Sequence, residues 1–118
     1  QVGSVGWVVA TAFAFNMLRQ EECAEVAKPE WWNDEGLKAL SARVVRAAPD
    51  DMQANYMRAQ VLDGRCGAWV VGPRSAAELK EAVTHYERAA ALHPTPVGKA
   101  QLAELAAWCG ILVAGPAS

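Results

Sequence analysis

The chain has 118 residues, 53% of them hydrophobic, 20% charged and 8% aromatic, with a formal charge of −2. That is enough apolar mass for one small core and too little charge for disorder, and it leaves no basic stripe for gripping nucleic acid. Three cysteines, Cys23, Cys66 and Cys109, fall 43 residues apart with no CxxC pair. They argue against a disulfide framework and fit a reducing intracellular compartment.

Five helices are expected in chain order. Residues 2–18 carry no charge and read as a first helix, apolar nearly all round. Asn33-Asp34 marks the next start. Leu37, Leu40, Val44, Ala47 and Ala48 then recur at helical spacing, and Pro49 ends the helix. Asp50 is expected to cap a third helix, with Gln53 as its capping-box partner. The inward stripe of that helix is Met52, Tyr56, Ala59 and Leu62, closed by Gly64. Ser75-Ala-Ala-Glu78 is a complete capping box, followed by Leu79, Ala82, Val83, Tyr86, Ala89 and Ala90 as far as His93-Pro94. Thr95-Pro96 opens a fifth helix, with Leu102, Leu105, Cys109 and Leu112 on one side. Trp69-Val70-Val71 is too short to be a useful strand. With 24 alanines in the chain, the expectation is an all-α protein.

The helices repeat with an offset of 45. Val44–Pro49 lies over Ala89–Pro94, and Ala54–Leu62 lies over Lys99–Ala107. Periods of this size indicate stacked helical hairpins. The segment Ala82-Val-Thr-His-Tyr-Glu-Arg-Ala-Ala-Ala-Leu-His-Pro94 resembles the second helix of a tetratricopeptide repeat, with small Ala82 and Ala89, aromatic Tyr86 and terminal Pro94 in register. Ala47-Ala48-Pro49-Asp50 resembles the same ending. The resemblance implies antiparallel hairpins stacked as a short right-handed solenoid of about two and a half repeats in a single domain. The first hairpin would span 2–49, the second 50–94, and a half repeat 95–113. Each turn within a hairpin is about ten residues longer than the ~34-residue family repeat allows. Asn55 and Arg58 stand where the family usually has Trp and Leu.

No dinucleotide, P-loop, zincin or nucleophile-elbow motif is present. His85 and His93 lie eight apart, over two helical turns, and cannot share a metal unaided. Cys66, beside Arg65 in a glycine-flanked loop, is the one thiol a small enzyme could use. Glu21, Glu22, Glu25, Glu30, Asp34 and Glu35 form an acidic edge without a facing partner. The expectation is therefore no catalysis, no cofactor and no metal.

Binding carries more signal. In tetratricopeptide arrays the first helices of each pair line a concave groove, and some such grooves hold a terminal carboxylate. By that resemblance, candidate partner-binding residues are Asn55 and Arg58, Asn16 and Arg19, and Lys99. The long turns hold Trp31-Trp32 and Trp69, which either fold back onto the helices or meet a partner as interface anchors. Fold-back ranks first.

Three explanations compete for residues 1–18: a buried helix, a helix docked on a larger assembly, and a membrane anchor, in that order. The leading expectation is a scaffold or adaptor that binds other proteins and no nucleic acid. The alternative is a structural accessory subunit of a larger, membrane-associated complex, such as an organellar energy-converting assembly, with the N-terminal helix docked on or in it.

Overall fold

A computed structural model of the chain describes residues 1–20, 25–65 and 68–114. Among the described residues there are five helices and no strand: α1 (Val5–Leu18), α2 (Asp34–Ala47), α3 (Met52–Asp63), α4 (Ala76–Leu92) and α5 (Pro96–Ala114). The all-α expectation holds. The body measures 43 × 31 × 26 Å with a radius of gyration of 14.0 Å, close to the ~13.5 Å of a compact chain this long.

Side-chain acceptors set the helix starts. Ser4 takes the Trp7 N–H, Asn33 takes that of Gly36, and the Ser75/Glu78 capping box is complete. Thr95 Oγ1 accepts from the Gly98 N–H at 3.0 Å, with Pro96 at the first helical position. The cap of α3 differs from expectation. Asp51, not Asp50, accepts from the Ala54 N–H at 2.8 Å. The Asp51 N–H closes a turn onto the Ala48 carbonyl, which delays the helix by one residue. Gln53 is consequently no capping partner, and its Oε1 accepts from Asn16 Nδ2 at 3.2 Å. Gly64, at φ +68°, ends α3 in the left-handed conformation.

Two apolar cores share α3. The first joins Val8 and Phe15 of α1, Leu37 and Val44 of α2, Ala54, Met57 and Val61 of α3, and Trp69. The second joins Ala59 and Leu62 of α3 to Ala82, Tyr86 and Ala89 of α4 and to Leu102, Ala106 and Cys109 of α5. Tyr86 carries its hydroxyl into this core and satisfies it by donating to Asp63 Oδ2.

Burial repeats with the sequence offset. Leu37, Ser41 and Val44 are the buried residues of α2, and 45 residues on Ala82, Tyr86 and Ala89 are buried in α4. Met57 and Val61, which face the first core, correspond to Leu102 and Ala106, which face α4. The correspondence breaks where α3 is covered and α5 is open: Ala54, Asn55 and Asp63 are buried, but Lys99, Ala100 and Trp108 are exposed. Ala59 and Leu62, covered by α4, correspond to Glu104 and Ala107, which are exposed.

The described parts of both long connections fold back. Trp32 Nε1 donates to the Ala68 carbonyl at 3.0 Å, and Trp69 Nε1 donates to Asp34 Oδ1 at 2.9 Å. The Phe15, Trp32 and Trp69 rings meet at centroid separations of 5.7 to 6.1 Å, and Trp31 lies 5.9 Å from Trp32. Trp69 is buried and Trp31 and Trp32 are half-buried against the first core, the fold-back that ranked first. They thicken a core that three short helices leave thin.

Asp34 ties this arrangement together. Its carboxylate also accepts from the Gly72 N–H at 3.1 Å and from Arg74 at 2.8 and 2.6 Å. Arg74 in turn donates to the carbonyls of Val61 and Leu62, the open end of α3. Gly36 is required beside it, because a Cβ there would collide with the Trp31 backbone.

Large apolar side chains concentrate at the two ends of the molecule. Twelve are exposed among the described residues. Val5, Val9, Phe13 and Met17 on α1 and Val97, Trp108, Ile111 and Leu112 on α5 make eight of them. α1 spans ~21 Å, short of a ~30 Å hydrocarbon layer, and buries Val8, Ala12 and Phe15. α5 is long and apolar enough to cross a membrane by length and composition, with a mean hydropathy of 1.3.

Candidate groove across α1, α3 and α5

α3 is covered almost all round, and its open side presents Met52, Gln53 and Tyr56. On one flank, Val9, Ala12, Phe13 and Asn16 of α1 close a cleft of about 190 Å³ against Asp51 and Gln53. On the other, His93, Gln101, Glu104 and Leu105 close a larger one, about 420 Å³, against Met52, Gln53 and Tyr56. Gln53 borders both, so the two clefts adjoin on the open side of α3 and together make up the candidate groove.

Its polar groups are spaced along an apolar floor. Asn16 bridges Gln53 and Arg19, accepting from Arg19 Nε at 3.2 Å. The Arg19 guanidinium sits 5.9 Å above the Tyr56 ring, a cation–π contact that leaves it at the rim. At the far end, His93 Nδ1 accepts from the Thr95 N–H at 3.1 Å, and its ring occupies the space a Cβ on Gly98 would need. Carboxamides at Asn16, Gln53 and Gln101 can each donate and accept, as peptide main chain requires. Phe13, Met52, Tyr56 and Leu105 offer apolar surface between them. A cation at one end and Glu104 at the other give the groove a direction.

Of the candidate partner-binding residues named from the sequence, Asn16 lines this groove and Arg19 sits at its rim over Tyr56. Asn55 is wholly buried, so it cannot grip a partner's carboxylate. Its Nδ2 donates to the carbonyls of Pro49 and Asp51, both at 2.9 Å, which leaves Oδ1 to accept from His85 Nδ1 at 2.8 Å. His85 Nε2 faces Glu81 at 3.3 Å, and burial lowers the His85 pKa against the pull of that carboxylate. Arg58 is likewise committed, to Glu81, to the Lys38 carbonyl and to Ser41. Together these groups pin α2, α3 and α4. Lys99 caps α4, donating to the carbonyls of Ala90 and Ala91 at 3.4 and 2.8 Å.

Sequence reasoning missed Gln53, Tyr56, Gln101, Glu104 and Leu105 as groove residues. Tyr56 and Gln101 stand 45 apart, so the repeat offset was the signal that pairs them. One turn beyond Tyr56, Gln60 Oε1 is buried without a hydrogen-bond partner, and its equivalent in α5 is Leu105. Gln60→Leu should therefore stabilise the protein by about 1 kcal/mol, by removing an orphaned acceptor. Urea denaturation would show a higher midpoint at unchanged slope; a lower midpoint would mean the amide has a role in the fold.

Cys109 is buried, donates to the Leu79 carbonyl at 3.5 Å, and has its thiol pKa pushed up by burial. Cys66 and Cys23 lie outside the described residues. Among the described residues, no group of three His, Cys, Asp or Glu is placed to hold a metal. No family model, curated protein or solved structure matches the chain.

Proposed function

We propose that this chain is a non-catalytic, tetratricopeptide-like scaffold whose α1/α3/α5 groove holds an extended segment of a partner protein. The observation that carries the proposal is the pair of adjoining clefts on the open side of α3, with Gln53 common to both. Extended peptide fits its chemistry: carboxamides for the backbone, apolar gaps for alternate side chains, and a rim cation at one end. The 45-residue recurrence of burial adds support for the hairpin stack, because it pairs α2 with α4 and the inner faces of α3 and α5. No cofactor is needed for such a role.

A photo-crosslinking amino acid at Gln53, with Thr84 on the exposed side of α4 as control, tests the proposal in extracts of the native source. A discrete protein adduct is expected from position 53, lost on adding Leu105→Arg, and none from position 84. Equal labelling at both positions, or none at 53, would overturn it.

A further inference from the structure

We infer that the larger cleft, between α3 and α5, selects its partner by one basic side chain, a lysine or arginine whose charge is met by Glu104. The inference rests on the peptide-holding reading of the groove and adds which residue the partner must bring. Met52, Tyr56 and Leu105 give this cleft half-buried apolar walls, and Gln53, Gln101 and Glu104 stand exposed around them. Glu104 is the one carboxylate of the lining, which contains no lysine or arginine to neutralise it. Among the described residues, neither Glu104 nor Gln101 has a hydrogen-bond or ion-pair partner. His93, at the far end, spends its Nδ1 on the Thr95 N–H at 3.1 Å.

Charge complementarity decides the occupant. A segment laid across this cleft takes water away from Glu104. An apolar side chain would leave that carboxylate desolvated and unpaired, and an acidic one would add repulsion. A basic side chain offsets the loss, and its two parts suit the two kinds of surface present. The aliphatic stem lies along Met52 and Leu105, while the head donates to Glu104 and to the carboxamide oxygens of Gln53 and Gln101. The protein itself shows that Tyr56 accepts a cation, because the Arg19 guanidinium lies 5.9 Å from its ring centroid. Arg19 is held on the α1 flank, its Nε donating to Asn16 Oδ1 at 3.2 Å, and makes no ion pair with Glu104.

Short peptides of the form Ac-Ala-Ala-X-Ala-Ala-NH2, with X as lysine, arginine, norleucine or glutamate, test this by amide NMR titration of the full chain. Blocked ends leave the central side chain as the only charge. The lysine and arginine peptides should shift the signals of Tyr56, Gln101 and Leu105 and bind about fivefold tighter than norleucine, with glutamate weakest. Salt at about 0.5 M should shrink that advantage. Glu104→Gln should fold unchanged, since the side chain is exposed and unpaired. It should abolish the lysine advantage and leave norleucine binding as it was. Equal binding of lysine and norleucine, an advantage that survives Glu104→Gln, or no shift of these signals with any peptide would overturn the inference. Crosslinking from position 53 separates it from the groove reading. An adduct undiminished by Glu104→Gln leaves the groove holding a partner and overturns the basic side chain, whereas no adduct in the parent overturns both.

Discussion

Replacing Asp34 with alanine should cost about 3–5 kcal/mol, a large share of the 5–15 kcal/mol that holds a domain of this size together. The carboxylate accepts from Trp69, Gly72 and both terminal nitrogens of Arg74, whose side chain is only 7% exposed. Removing it strands a buried guanidinium and an indole N–H together, and frees the connection that carries Trp69. Arg74→Ala should be comparably severe, and the double variant little worse than either single one, because both act through one bonded unit. Urea denaturation of the four proteins measures this; additive losses would show that the two residues act independently.

The same carboxylate governs acid stability. The Arg74 hydrogen bonds hold its pKa far below the ordinary value of 3.8, and Lys38 likewise brings Glu78 down to about 2. Groups depressed in this way contribute stability that is complete above the unfolded-state values and is lost as pH falls through the folded ones. His85 acts in the same direction. Burial lowers its pKa from 6.5, so the unfolded state takes up the proton first and stability begins to erode below about pH 6.5. Between about pH 5 and pH 2 the parent protein should therefore lose more stability than Asp34→Ala, which has already forfeited that contribution.

Phe15→Ala is the second severe substitution, at an expected loss of about 3–4 kcal/mol. Phe15 is fully buried and touches both Trp32 and Trp69, so it joins α1 to the two long connections. Its loss should redden tryptophan emission in the folded state as water reaches the two indoles. A loss below about 1 kcal/mol with unchanged emission would mean the cluster closes over the gap.

The sequence was most legible where local chemistry decides the outcome. The Ser75/Glu78 box, Asn33, Gly64 and Thr95-Pro96 each mark a helix end by side-chain bonding or φ alone, and each is where expected. The 45-residue offset also returns in burial, since a repeated packing face leaves a repeated sequence face. What could not be read is which way a polar side chain turns when two elements compete for it. Asn55 and Arg58 share a helical spacing that suits a surface grip, yet α4 lies over them and both are spent inside. Gln53 has the spacing of a capping partner but bonds to Asn16, 37 residues away. The groove was hidden for the same reason: it depends on which side of α3 remains open, and α3 is packed on by three neighbours.

α3 belongs to both apolar cores, and this predicts an order of opening. Amide hydrogens near Met57 and Val61 are guarded by α1 and α2, while those near Ala59 and Leu62 are guarded by α4. Deuterium can reach the whole of α3 only when both sets of neighbours have left, which is complete unfolding. Its exchange should report the global stability of the chain, while α1, packed on one side only, trades its protons through cheaper local excursions.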